Sequence, residues 1–539
     1  MAGCRLPSRS LVVIVSCLLI TCTLSPIAVA TPYSDGSGAV TDDTPESIVI
    51  DDSLPDSGDP IGVVVRLEDP AIDRTDDHDE PVPARLETHA DDTQEPVLEY
   101  AAATDGITVE SELWLTNAVV LEVDPDRVDF ETFERFDAVE AVHENFEVDV
   151  PAISAGESAT TGAIAAGSNR TPEPTTPGVD MVNAPAVWDE YDTCGDGVRV
   201  AVLDTGIDAD HPDIDLFTDD PTDPTYPGGW AAFDETGGAI HGAVPHDTDG
   251  HGTHVSGTVA GGAASGPAIG VAPDVDLLHG RVLDENGGTF AQLVAGMEWA
   301  LEEDADVLSM SLGSTGAHAQ LIEPVRNVRA SGVVVVAAVG NEGPETSDSP
   351  GNIYESISVG AVTDAGAVAP FSGGERLERS DWRTVPSTWP DSYVVPDVVA
   401  PGVAIESAVP GGGYARMPGT SMATPHVTGT AALLLSIDPT ASPAEIEAAL
   451  SETARRPTGE DLEPDSRYGH GIVDANAAAD ALVADDSGQD SRTVAAETGD
   501  ESTGSGSGEW SVTDAVFAIA LAGLVAALAA AIREWNDSH

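Results

Sequence analysis

The chain contains no lysine. All 21 basic residues are arginine, set against 94 aspartates and glutamates, for a formal net charge of -73 over 539 residues. Nucleic-acid binding needs clustered positive charge to displace counterions from phosphates, so this balance argues against it. Imbalance on this scale often accompanies disorder. Yet 41% of the residues are hydrophobic, and the central region holds several apolar, strand-like runs. A folded core under an acidic shell follows. Such a shell repels itself at low ionic strength, whereas at molar salt the screening length falls to ~3 Å and the repulsion is quenched. The chain is therefore expected to be halophilic.

Cysteine is almost as scarce, with only Cys4, Cys17, Cys22 and Cys194. The first three fall in a segment that reads as a secretory signal, residues 1–30. It has a sparse basic start (Arg5, Arg9), an apolar stretch from Leu11 to Ile20 and a small-residue cleavage site at Ala28-Val29-Ala30. An uncleaved anchor helix is the alternative. Removal of the signal takes three cysteines with it, so the mature chain is expected to lack an internal disulfide and Cys194 to be a loop thiol.

Three short motifs carry chemistry. Asp204 ends the Val-rich run Val198 to Leu203, which reads as a buried strand. His251 opens the small-residue stretch Gly252-Thr253-His254-Val255, and Ser421 stands in Gly419-Thr420-Ser421-Met422-Ala423 before a helix-like run. A serine hydroxyl is a poor nucleophile until a base takes its proton and an acid orients that base. In an open α/β sheet, strand ends and adjacent helix starts are where such groups converge.

These motifs, in the order Asp, His, Ser, resemble those of the subtilisin-like serine peptidases (subtilases), over roughly Thr176 to Val483. The resemblance implies an α/β, three-layer fold around a mostly parallel sheet. It also implies an acyl-enzyme serine endopeptidase mechanism with Asp204, His251 and Ser421 as triad, and Asn341 of Val339-Gly340-Asn341-Glu342-Gly343 as oxyanion donor. Substrates would be proteins or peptides, bound extended between Ser311-Leu312-Gly313 on one side and Gly288 on the other. No organic cofactor is expected. Calcium is a candidate structural ion, with Asp213 matching a common family ligand, although Gly261 to Pro267 lacks the asparagine that usually completes that site.

The remaining segments give the domain plan. Residues 31–60 are acidic and expected to be disordered. Residues 61–150 resemble the α+β inhibitory propeptide of this family, with strands at Ile61 to Leu67, Leu113 to Leu115, Val119 to Val123 and Ala141 to Phe146 and a short helix from Phe130 to Ala138. Residues 151–177 read as a processing linker and 178–483 as the catalytic domain. Within the latter, Gly373 to Tyr393 is an apparent insertion. Its Arg376, Arg379 and Arg383 would either attract acidic substrates or pair with the protein's own carboxylates. Residues 484–510 form a flexible Ser/Gly spacer. Residues 511–533 contain 18 uncharged apolar residues from Ala515 to Ile532, just long enough to span a membrane, and 534–539 are a short tail. The whole would be a cell-surface enzyme, its active site outside and its own propeptide an intramolecular inhibitor.

Overall fold

The computed structural model describes residues 48–51, 53–70, 81–151, 174–218, 229–264, 266–284, 286–457 and 464–484. The proposed signal and membrane-spanning segments lie outside these residues. Among the described residues, no helix is long and apolar enough to cross a membrane.

The N-terminal domain is a five-stranded sheet in the order β1-β5-β2-β4-β3. Its strands are β1 (Val49–Ile50), β2 (Ile61–Leu67), β3 (Ile107–Leu113), β4 (Ala118–Val123) and β5 (Val139–Glu144). A 22-residue helix, α1 (Val82–Ala103), packs on β3 and β4. This helix was not expected. Pro96 lies inside it, and its buried face of Leu86, Ala90, Gln94, Val97 and Ala101 is thin and partly polar, so the 3.6-residue period is weak in sequence.

Four other expectations are corrected. Val49 and Ile50 pair with Ala141 and Val142, so part of the acidic segment 31–60 belongs to this sheet. The strand expected at Leu113 to Leu115 is instead β3, and residues 114–117 turn, with Asn117 at φ 42°. The helix expected from Phe130 to Ala138 is a 3-10 helix, Phe130–Arg135. The final strand ends at Glu144, and the chain continues into β6 (Glu147–Val148).

The catalytic region opens on α2 (Pro177–Met181) and α3 (Ala184–Tyr191) and proceeds through β7 (Arg199–Asp204), β8 (Trp230–Ala232), α4 (His251–Ala260), β9 (Asp276–Arg281), β10 (Gly288–Thr289) and α5 (Phe290–Glu302). Next come β11 (Val307–Met310), β12 (Ser314–Thr315), α6 (Ile322–Ala330), β13 (Val334–Ala338), β14 (Asp348–Ser349) and β15 (Ile357–Val362). It closes with β16 (Glu375–Glu378), β17 (Ser392–Val395), β18 (Val398–Pro401), β19 (Ile405–Val409), β20 (Gly413–Met417), α7 (Thr420–Ile437) and α8 (Pro443–Thr453). Seven strands form one all-parallel sheet, β18-β15-β13-β11-β7-β9-β8. Its central strands are apolar runs such as Val334 to Ala338, buried along their length, as a sheet covered on both faces requires.

The insertion at 373–393 is a β16–β17 hairpin anchored by buried Leu377, Trp382 and Trp389. The Trp389 indole N–H donates to the Glu355 carboxylate at 2.9 Å. Arg379 donates to the carbonyls of Pro386 and Trp389, and Arg376 to Ser392. These two arginines therefore hold the hairpin's own backbone and hydroxyl. Arg383 acts on the Asp51 carboxyl, which the Ser53 N–H first, and Arg383 more weakly, hold below its usual range.

Cys194, read from sequence as a loop thiol, is buried and disulfide-bonded.

Candidate active site

The parallel sheet delivers Asp204 at the carboxyl end of β7, fully buried. Its Oδ1 accepts the Thr205 N–H at 2.7 Å and meets His251 Nδ1 at 2.8 Å. His251 is the first residue of α4, so its ring hangs over the strand end. This approach depends on Gly252, because a Cβ there would stand 2.2 Å from the Gly206 carbonyl. Burial alone would depress the imidazole's pKa. The Asp204 charge and hydrogen bond, helped by Asp249 and Asp247, outweigh it and leave the pKa raised. The Asp204 contact also favours the proton on Nδ1, which leaves Nε2 of the neutral ring with a free lone pair.

Asp247 is a site residue that sequence reasoning missed. Its carboxylate accepts from Gly250 N–H (2.8 Å), Thr253 N–H (2.9 Å), Thr253 Oγ1 (2.6 Å) and Thr205 Oγ1 (3.1 Å). It therefore ties the start of α4 to the residue after Asp204. An acidic residue just before a helix start is the signal that could have found it. His254, also on α4, donates from Nε2 to the Ile405 carbonyl at 2.9 Å, and burial pushes its pKa down to about 3, so it stays neutral.

Ser421 is the second residue of α7, which packs against α4. Its hydroxyl donates to the Ser311 carbonyl at 3.3 Å, while Ser311 Oγ donates back to the Ser421 carbonyl at 2.9 Å. His251 Nε2 makes no hydrogen bond among the described residues. The structure thus joins Asp204 to His251 and sets Ser421 on a helix packed against α4, without a His–Ser hydrogen bond. Asn341 lies just beyond β13. Its Oδ1 accepts from Thr420 N–H (2.9 Å) and Thr420 Oγ1 (3.0 Å), anchoring the residue before Ser421.

The cleft is filled by the chain itself. Val148 pairs with Gly288 and Glu147 with Thr289, antiparallel. Asp149 exchanges two backbone hydrogen bonds with Gly313, at 2.9 and 2.8 Å. The Asn341 Nδ2 then donates to the Pro151 carbonyl at 2.6 Å. Both expected walls, Ser311 to Gly313 and Gly288, therefore flank one extended segment. Gly288 belongs there sterically, since a Cβ would meet the Val282 carbonyl at 2.2 Å. Leu312 is fully buried in the cluster that also contains Val148 and Phe290.

Asp348 is a second residue the sequence did not flag. It is buried beside Gly313 and Gly340, and burial, then the neighbouring Glu342, push its pKa up to about 7. Asp213, the calcium candidate, already accepts from the Ala264 N–H and from Tyr414 OH (2.7 Å). Its oxygens are satisfied by protein donors, and no cluster of three or more metal-ligating side chains exists among the described residues. The acidic residues Asp219, Asp220 and Asp223 of the same loop lie outside the described residues.

The comparisons with known proteins agree with this geometry. Residues 195–471 match the sequence model of the subtilase family. Subtilisin of Bacillus pumilus is 38% identical over 314 residues, covering 56% of this chain and 98% of that protein. The intracellular serine protease of Paenibacillus polymyxa is 40% identical over 270 residues, 48% of this chain and 72% of that protein. Alkaline elastase YaB of a Bacillus strain is 37% identical over 308 residues, 56% of this chain and 69% of that protein. With a parallel sheet presenting an Asp–His pair beside a helix-borne serine, the chain belongs to the subtilase family and is a serine endopeptidase.

Proposed function

We propose that the chain is the precursor of an exported, cell-surface serine endopeptidase that cuts itself free of its N-terminal domain. One observation carries this reading: the Pro151 carbonyl lies on the Asn341 amide, whose oxygen holds Thr420, the residue before Ser421. Ser421 attacks a carbonyl so placed, and His251 takes the hydroxyl proton and returns it to the leaving amine. Asp204 holds the imidazole in one tautomer and stabilises its cation. The Asn341 Nδ2 and the Ser421 N–H receive the oxyanion. The domain at 61–150 acts as an inhibitor by lying in the cleft as an added strand. Export rests on the signal at 1–30, and tethering on the apolar run in 511–533. A fluorophosphonate probe, which reacts with activated serines, tests the chemistry. It should label the mature enzyme on the peptide containing Ser421, and labelling elsewhere or none at all removes the reading.

Halophily supplies a second expectation. With 94 acidic and 21 basic residues, transfer from multimolar salt to dilute buffer should unfold the mature enzyme. Far-UV circular dichroism and peptidase activity should fall together. Full retention of both after prolonged dialysis would sink the halophilic reading.

Acid should loosen the inhibitor domain. His143 is buried at the domain boundary, edge-on to Phe290 at 5.2 Å, with Nδ1 on the Glu144 carbonyl. Burial lowers its pKa to about 4. The docked state thus prefers neutral imidazole, so its contribution is complete above the free value of 6.5 and is lost as pH falls from 6.5 through 4. The melting temperature of an uncleaved Ser421→Ala chain should drop over that window more steeply than that of the same chain carrying His143→Phe. Parallel curves would exclude the histidine as the cause.

A further inference from the structure

We infer that the maturation cut falls at the peptide bond on the carboxyl side of Pro151, and that Pro151 slows this cut because it has no N–H. The inference rests on the self-processing reading above and adds to it the bond and the rate.

The register places the bond. In an antiparallel pair, residues that exchange both backbone hydrogen bonds recur every second position. Asp149 and Gly313 are such a pair. Two residues on, residue 151 stands opposite residue 311. The Pro151 carbonyl does not pair back to that strand and goes instead to Asn341 Nδ2 at 2.6 Å. Upstream contacts fix the segment against slippage. Val148 is buried and paired with Gly288, the Phe146 carbonyl accepts the Phe290 N–H at 2.9 Å, and the Asn145 side chain accepts the Ala291 N–H at 3.0 Å. A one-residue slip would turn Val148 out of its buried site and bring Asp149 in.

The same register explains the delay. At position 151 the N–H should donate to the Ser311 carbonyl, but proline has none to give. The Ser311 carbonyl accepts the Ser421 hydroxyl instead, at 3.3 Å. That hydroxyl must donate to His251 Nε2 before it can attack, and Nε2 has no hydrogen-bond partner among the described residues. A substrate residue with an N–H would occupy the Ser311 carbonyl and release the serine hydroxyl toward His251. Pro151 cannot, so its own bond is a poorer substrate than ordinary peptides held the same way. The chain therefore has time to fold before it cuts.

The step balances without any external oxidant or reductant. Ser421 Oγ bonds to the Pro151 carbonyl carbon, and its proton passes to His251. The bond from that carbon to the nitrogen of Ala152 breaks, and the amine leaves with the proton. Water then hydrolyses the ester, freeing the Pro151 carboxylate and restoring Ser421.

The test uses full-length chains made in high salt: wild type, Pro151→Ala and Ser421→Ala. Intact mass of the released N-terminal fragment is followed over time. Wild type should release a fragment ending at Pro151. Pro151→Ala should release a fragment of the same length, ending at the substituted position, about tenfold faster, as one recovered hydrogen bond in the transition state allows. Ser421→Ala should stay whole. A first fragment ending elsewhere overturns the assignment of the bond, and an equal or slower rate for Pro151→Ala overturns the delay. In both cases an uncut Ser421→Ala leaves self-processing standing. If Ser421→Ala is cut as fast as wild type, self-processing fails, and this inference with it.

Discussion

Ser421→Ala is expected to lower kcat/KM on a peptide substrate by about 10⁶, the size of loss known for the corresponding change in subtilisin itself. The argument is local. No second nucleophile stands on the Asp204–His251 pair among the described residues, and in the proposed mechanism that pair moves the Ser421 proton. The fold should not notice the change. The hydroxyl makes one long hydrogen bond, 3.3 Å to the Ser311 carbonyl, while the shorter bond from Ser311 Oγ goes to the backbone of residue 421 and survives. The melting temperature should stay within about a degree or two, because a weak, partly compensated hydrogen bond contributes little. Stopped assays with a fluorogenic peptide and a thermal melt check both halves. Activity within about tenfold of wild type would mean that another residue is the nucleophile.

The second large effect belongs to Asn341, and the structure separates its two jobs. Its Nδ2 donates into the cleft, and its Oδ1 holds Thr420. Asn341→Asp keeps an oxygen for Thr420 but replaces the donor with a second acceptor facing the developing oxyanion. A fall in kcat of at least about 10²–10³ is expected, the loss known when the donor is removed from subtilisin itself. KM should change little, since the donor acts on charge that appears only in the transition state. Asn341→Ala should lose a similar amount of kcat and also stability, because the buried Thr420 N–H then loses its acceptor and Thr420 Oγ1 keeps only the Gly340 carbonyl at 3.3 Å. If Asn341→Asp raised KM and spared kcat, the amide would be a binding contact and not an oxyanion donor.

The candidate residues were legible as motifs because the proposed chemistry constrains residue type over a few positions. Asp204 had to follow a buried strand, and His251 and Ser421 had to open helices among small residues that allow close approach. Gly252, against the Gly206 carbonyl, shows that constraint in coordinates. The apolar runs of the parallel sheet were readable for a similar reason, since burial on both faces leaves an uninterrupted hydrophobic signature. Helix α1 was not, because its buried stripe includes Gln94 and its interior includes Pro96, and tertiary packing on β3 and β4 overrides both. Asp348 escaped notice because a carboxylate among 94 acidic residues carries no mark of its own, and Asp247, just before a helix start, carried only a weak one. What the amino-acid sequence determined by itself is therefore the family, through its short motifs, and the acidic composition. What only the tertiary structure decided is which residues occupy the cleft. The bond between Asn341 and Pro151 spans 190 residues of chain, and the ladder between Asp149 and Gly313 uses backbone groups that every residue shares, so neither leaves a trace in side-chain pattern.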